Sequence, residues 1–417
     1  MKEIKPFKQQ EKCRICSSSN LEEFLDLGFT PPADQFLRNE QLKEPETFYP
    51  LTVKICKACG LVQLGQVVHH EILYRNDYPY ESSTTKQGKM HWEEFASTTV
   101  EKYGLNSEDL VVDIGSNVGV LLDAFSNCGT RALGVDPASN IVEIANKRGI
   151  ETWDAFFDLE TAEKILLQKG SAKIITGTNV FAHIDNLHSF MYAVQKLLTD
   201  DGIFIFEAPY LGNLIRLLEY DTIYHEHLSY LSLKPIQLLA KKLGMEVIDV
   251  QERDIHGGSF RVFISKSGNY SKNQRVTQFE EKEGSLALAD ISSLKGFSQK
   301  VSLNKSTLLN LLIELKQSGK KIAAVSTPAK GMTLLNYCKI GTEILDFATE
   351  KSFLKIGKYT PGMHIPIKPD SALVTEKVDY ALLLAWNFAD EIIDNLKEYR
   401  EKGGKFIIPI PEPKIIE

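Results

Sequence analysis

The chain has 417 residues, 43% hydrophobic and 25% charged, with a formal net charge of −7. That length predicts roughly two to four domains. With 48 basic residues against 55 acidic ones and no basic block, composition excludes a nucleic-acid partner held by phosphate neutralisation. The opening MKEIKPFKQQEKC has no apolar signal core. No later run of about 20 apolar residues follows, so no membrane partner is expected and the cytoplasm is the expected setting.

Residues 1–75 show little helical periodicity, contain Thr30-Pro31-Pro32, and hold four of the six cysteines as two CxxC knuckles, Cys13/Cys16 and Cys56/Cys59. Two thiolates three residues apart on a tight turn take two corners of a tetrahedron, and two such pairs close a shell around Zn²⁺. A closed shell leaves no position for substrate, so the metal is expected to be structural and to supply folding energy that so small a segment lacks. Buried thiols or a redox-active CxxC are the alternatives. Cys128 and Cys338 read as ordinary core or helix residues.

Residues 76–267 alternate strands and helices, which predicts a mostly parallel sheet covered on both faces. The predicted strands are Leu110–Ile114, Ala132–Val135, Lys173–Thr178, Ile203–Ala208, Glu246–Val250 and Phe260–Ser265. The clearest helices are Val118–Ser126, Ala138–Lys147 and Pro235–Leu243. Residues 268–417 begin with a polar helical connector to about 318. A second α/β unit follows, with strands expected at Lys321–Val325, Ile344–Ala348, Ala372–Val374, Tyr380–Ala385 and Lys405–Ile408.

The first predicted strand runs into a glycine-rich turn, Asp113-Ile-Gly115-Ser116-Asn117-Val-Gly119. A dinucleotide fold prefers GxGxxG there; here an acid precedes the first glycine. It would repel a diphosphate and suits the ammonium of a methionine moiety. Asp136 ends the next strand, where a carboxylate takes ribose hydroxyls, and Asp154 follows near an adenine position. The ordered set resembles the class I methyltransferase site for S-adenosylmethionine; an NAD or nucleotide-sugar fold with a degenerate loop is the alternative.

Two polar segments follow the fourth and fifth strands: Thr178-Asn179-Val-Phe-Ala-His183, and Asp221-Thr-Ile-Tyr224-His225-Glu226-His227. A third, containing His256, joins the last two strands. Loops at the carboxyl ends of parallel strands carry the chemistry of open α/β sheets. HEH lacks the i, i+4 spacing of a helical metal site, whereas imidazole beside phenol and carboxylate suits acid–base work. A solvated loop with chance histidines is the plain alternative.

These motifs, together with PADQFL (32–37), FYPL (48–51), CGLVQL (59–64), YHEHLSYLS (224–232), IHGGSFR (255–261), PAKG (328–331) and PGMHIPI (361–367), resemble the zinc-containing sugar C-methyltransferases over nearly the whole chain. One departure is Val325-Ser326-Thr327, where an aromatic or Gly/Ala-rich stretch is expected. The resemblance implies a small N-terminal zinc-binding domain, a central class I (Rossmann-like) methyltransferase domain and a C-terminal Rossmann-like α/β domain. It implies C3-methylation of a nucleotide-linked 4-keto-6-deoxyhexose, on dTDP or GDP, with His227 as base and Tyr224 as its rival. His183, Glu226 and Tyr78 then assist catalysis, and His225, His256 and Lys330 contact substrate. Sugar O- or N-methylation, or a non-catalytic zinc and cofactor-binding module, are the competing readings.

Overall fold

The computed structural model describes residues 5–74, 86–255 and 257–417. In the N-terminal part, β1 (Phe7–Gln9) pairs antiparallel with β5 (Gln66–Val68), and the chain then makes the short helix α1 (His70–Tyr74). The larger sheet there contains β2 (Leu21–Thr30), β3 (Tyr49–Cys56) and β4 (Val62–Leu64). Its fourth strand, β11 (Ser229–Tyr230), arrives from far along the chain and pairs with Val62 and Gln63, giving the order β11-β4-β3-β2. Leu51, Val53 and Ile55 alternate inward along β3 and are fully buried. Such period-2 alternation is what a sheet with one covered face requires.

Helix α2 (Lys86–Tyr103) leads into a seven-stranded sheet. Its strands are β6 (Leu110–Ile114), β7 (Arg131–Asp136), β8 (Thr152–Asp154), β9 (Ala172–Thr178), β10 (Leu198–Pro209), β12 (Met245–Arg253) and β13 (Ser259–Lys266), in the order β12-β13-β10-β9-β6-β7-β8. The pairs from β10 to β8 are parallel; β13 runs antiparallel to both of its neighbours. Every residue of β6 is buried, Asp113 included, as in a strand covered on both faces. Helices α3 (Val120–Asn127), α4 (Ser139–Lys147), α5 (Leu159–Lys169) and α6 (Leu187–Leu197) connect these strands. The insertion after β10 holds α7 (Leu211–Arg216) and β11, and α8 (Leu233–Lys242) then returns the chain to β12.

The connector forms α9 (Gln274–Leu286) and the 27-residue α10 (Ile291–Gln317). The last sheet is β16-β15-β14-β17-β18-β19, from β14 (Ile322–Val325), β15 (Ala348–Glu350), β16 (Ile367–Pro369), β17 (Tyr380–Leu383), β18 (Lys405–Ile408) and β19 (Lys414–Ile416). Counted within itself, the order is 3-2-1-4-5-6, that of a doubly wound nucleotide fold. Helix α11 (Ala329–Cys338) follows β14.

Two expected strands differ here. Ala372–Val374 is the start of helix α12 (Ala372–Thr375): the preceding strand stops at Pro369, and Ala372 and Leu373 bury as one helical face. Of Ile344–Ala348 only Ala348 is extended, and the strand continues to Glu350. Among the described residues no helix is long and apolar enough to cross a membrane.

Candidate active site

The loops at the carboxyl ends of both sheets, with α1 between them, enclose one cavity of about 1430 Å³. After β6 the chain turns through Gly115 (φ 67°), Asn117 (φ 50°) and Gly119 (φ 81°) before α3 begins. A Cβ on Gly115 would lie 2.2 Å from Val180 Cγ2, and one on Gly119 2.6 Å from Ile150 Cγ2. Both positions therefore need glycine for conformation and for space. Gly115, Ser116 and Asn117 line the cavity, as do Thr178 and Asn179 (φ 58°) after β9.

Asp113, at the end of β6, is buried and accepts a 2.7 Å bond from Thr176 Oγ1. Burial pushes its carboxyl up to about 7, against the Thr176 bond and with some help from Asp136. The group thus carries its charge at a cost that a ligand cation would relieve. Asp136 accepts from the backbone N–H of Asn117 through Oδ2 and from that of Ala138 through Oδ1, each at 2.9 Å, so it also fixes the glycine-rich turn. Asp154 is exposed and off the wall; Ala155, Phe156 and Phe157 face the cavity in its place. A buried acid, Cβ-free backbone and an apolar shelf fit the ammonium, ribose and adenine of S-adenosylmethionine.

The facing wall comes from the insertion. Thr222 O accepts from His227 Nδ1 at 2.7 Å, which leaves the lone pair on Nε2; Tyr224 Oη lies 2.8 Å from that nitrogen. His183 sits with its ring 5.0 Å from that of His227. Its Nδ1 is 3.2 Å from Tyr74 Oη, and its buried Nε2 has no hydrogen-bond partner among the described residues. Burial, with His227 adding, holds His183 well below the ordinary imidazole range. Glu226 and Asp34 also face this space.

Lys330, in the first turn of α11, lies on the cavity, bonds Asn387 Oδ1 and stands 4.7 Å above the Trp386 ring. His225 does not join the wall. Its Nε2 donates to Pro50 O at 3.1 Å and its ring meets Tyr49 edge-on, so it ties the insertion to β3. Tyr78 and His256 lie outside the described residues. Tyr74 and Asp34 escaped sequence reading: a phenol ending a short helix and an acid after two prolines look like plain surface residues.

A third site is closed. Cys13, Cys16, Cys56 and Cys59 place their sulfurs within 4.8 Å of one another, with Cys13–Cys59 and Cys16–Cys56 both at 3.4 Å. Zn–S bonds of about 2.3 Å put tetrahedral sulfurs about 3.8 Å apart, so this donor set fits zinc. Four thiols this close cannot ionise together without a cation: the hydrogen bond from Cys59 pulls Cys13 down to about 5, and the same bond drives Cys59 up.

Three family models cover the chain: a zinc binding domain over residues 13–74, a methyltransferase domain over 89–250 and a C-methyltransferase C-terminal domain over 254–411. C-methyltransferase NovU of Streptomyces niveus is 37% identical over 407 residues, 97% of both chains. The chain belongs to the zinc-containing, S-adenosylmethionine-dependent C-methyltransferases.

This C-methyltransferase is also 28% identical over 141 residues to the methyltransferase YcgJ of Bacillus subtilis, 31% of this chain and 55% of that one. The solved magnesium protoporphyrin IX methyltransferase of Synechocystis PCC 6803 aligns with 45% of the C-methyltransferase and 90% of its own chain, at 15% identity and a TM-score of 0.35. The zinc of the C-methyltransferase is structural, since all four of its ligand positions are thiolates.

Proposed function

We propose that this C-methyltransferase acts on C3 of a 4-keto-6-deoxyhexose linked to a nucleoside diphosphate, dTDP or GDP. The observation that carries the reading is the His227–Tyr224 pair, whose tautomer is fixed by Thr222 O, facing the cavity into which the cofactor turn opens. About 1430 Å³ exceeds the roughly 300–1,000 Å³ of a single small-molecule site. It suits a cofactor and a sugar nucleotide side by side. In this reading three domains, divided near residues 75 and 267, meet at the cavity.

On the cofactor side Asp113 receives the ammonium, and Asp136 the ribose hydroxyls. Gly115, Ser116, Asn117 and Gly119 allow close approach, and Thr178 and Asn179 close the edge. Phe156 takes the adenine-facing role expected of Asp154. Bound S-adenosylmethionine supplies an electrophilic methyl group.

A proton on C3, next to the C4 ketone, is acidic enough for an enzymic base. His227 Nε2 takes it, directly or through Tyr224, whose own proton then passes to Nε2; either way the proton ends on His227. A positioned base contributes about 10²–10⁴-fold. Negative charge develops on the C4 oxygen, where a donor from His183 stabilises it and Glu226 orients the neighbouring hydroxyl. Lys330 offers its ammonium to the diphosphate at the α11 end of the cavity.

The test is incubation with S-adenosylmethionine and a panel of nucleotide-linked 4-keto-6-deoxyhexoses in D₂O, read by mass and proton NMR. Loss of the C3 proton signal with a new methyl on quaternary carbon supports the reading. A methyl on oxygen or nitrogen, or none on any panel member from protein that binds the cofactor, overturns it.

A further inference from the structure

The two histidines of the catalytic wall present opposite faces to the same space. His227 gives its Nδ1 proton to Thr222 O, so its Nε2 is an acceptor. His183 is held at Nδ1 by Tyr74 Oη, from a helix that belongs to the zinc-bearing end of the chain, 109 residues away in sequence. The Tyr74 and His183 rings lie nearly parallel, 12° between planes, with centroids 6.0 Å apart. The remaining nitrogen of His183, Nε2, is buried on a residue that lines the cavity, and it has no hydrogen-bond partner among the described residues.

We propose that Tyr74 is a positioning residue: by donating its phenol hydrogen to His183 Nδ1 it forces the imidazole proton onto Nε2, so that His183 meets the substrate as a neutral hydrogen-bond donor. An imidazole has one proton to place when neutral, and the partner of one nitrogen decides which nitrogen carries it. Burial, with Glu226 and Asp34 nearby, keeps the Tyr74 phenol protonated far above neutrality, and burial keeps His183 uncharged. A phenol that stays protonated both donates and accepts; in the proposed arrangement it takes the donor's role toward Nδ1. The pair then divides the labour: His227 Nε2 accepts, and His183 Nε2–H donates to an oxygen that gains charge as the proton leaves.

The inference rests on the C3-deprotonation reading for its purpose, though not for its test. The first readout is the ¹⁵N spectrum of the full-length, zinc-loaded enzyme, with the His183 signals assigned by their loss in His183→Asn. The expected wild-type state is protonated at Nε2 and bare at Nδ1. In Tyr74→Phe the two tautomers should mix. Turnover should fall about tenfold or more, towards the about 10²–10³-fold that loss of a whole preorganised donor costs. Cofactor affinity, sugar-nucleotide KM and zinc content should hold.

A wild-type His183 protonated at Nδ1 overturns the proposal without any variant, and so remains decisive if Tyr74→Phe folds poorly. An unchanged tautomer in Tyr74→Phe also overturns it, as does a rise in KM with kcat intact. Failure of the sugar panel would remove the C3 reading and leave the tautomer result standing, so the two failures are distinguishable.

Discussion

Asp113→Asn should stabilise the protein and impair it. The carboxyl sits on the last turn-ward residues of β6, 2% exposed, with its pKa raised from 3.8 to about 7 mainly by burial. A carboxyl that is harder to ionise in the fold than in the unfolded chain helps the fold below the unfolded value, and that help is lost as pH rises from about 4 to about 7. Three units at about 1.4 kcal/mol each come to about 4 kcal/mol. Halving this for relaxation and cavity water leaves about 2 kcal/mol of cost at pH 8.

The amide keeps the acceptor for Thr176 Oγ1 and removes the charge. Melting should therefore rise by about 2 °C at pH 8, taking about 1 °C per kcal/mol for a chain of 417 residues, and by nothing near pH 4. Calorimetric titration with S-adenosylmethionine should show about 10–100-fold weaker binding, the worth of a charge-assisted hydrogen bond at about 1.5–3 kcal/mol. An Asn variant that melts lower at pH 8 would show that the carboxylate is satisfied in the empty site. Unchanged cofactor affinity would show that the ammonium lies elsewhere.

His227→Asn should abolish C3 hydrogen–deuterium exchange while Tyr224→Phe retains a measurable rate; the reverse order would make Tyr224 the base. Gly115→Ala forces a left-handed φ of 67° onto a residue with a Cβ. It should cost about 1–2 kcal/mol in urea unfolding and weaken the cofactor through Val180, and wild-type behaviour would mean the turn relaxes freely. Burial pushes His225 down to about 4 from 6.5, so the stability of its neutral form is present above pH 6.5 and lost as pH falls towards 4, about 3 kcal/mol in all. His225→Gln should flatten the fall in melting temperature across that window; an unchanged slope would assign acid sensitivity to other groups. Cys56→Ser should lower zinc by atomic absorption and reduce turnover more than cofactor affinity, and equal losses would mean the metal serves the whole fold alike.

The parts of this molecule that could be read in sequence are those whose cause is local. Strands β6 and β18 have the limits expected of them: β6 departs from its apolar run only at the buried Asp113, and β18 is apolar and buried after Lys405. The glycine-rich turn was legible for the same reason, since φ and close approach are properties of a few consecutive residues. The long strand β2 gave little signal: its pairing with β3 shifts register twice, between Glu23 and Leu25 and between Asp26 and Phe29, which breaks the alternation in β2. Ala372–Val374 misled because three apolar residues do not distinguish period 2 from period 3.6. In the site, the polar loops were found but their directions were not. His225 lies between Tyr224 and Glu226, and only the presence of β3 beneath the insertion turns it away from the cavity.

That insertion explains why a distant zinc knuckle belongs to a methyltransferase at all. Two residues past His227 the chain becomes β11, and Ser229 pairs with Gln63, four residues past Cys59. Leu64 N–H donates to Leu228 O at 3.0 Å, so the backbone beside the proposed base is held by the strand leaving the metal site. The opposite knuckle is held in turn by helices α6 and α8: Ile15 O, between Cys13 and Cys16, accepts from His188 Nε2 at 2.7 Å and from Lys242 Nζ at 3.1 Å. Four thiolates around Zn²⁺ leave a net negative charge, and buried Arg14 beside Cys13, with Lys242, supplies the opposite sign. A two-residue strand cannot hold itself in register; it needs a neighbour that is already rigid. Metal-fixed β4 is that neighbour for the His227 loop, and α1, which follows β5 of the separate two-stranded sheet, carries Tyr74 to His183. In the proposed mechanism zinc acts on the chemistry through backbone and tautomer, since a shell of four thiolates leaves no ligand position for the substrate.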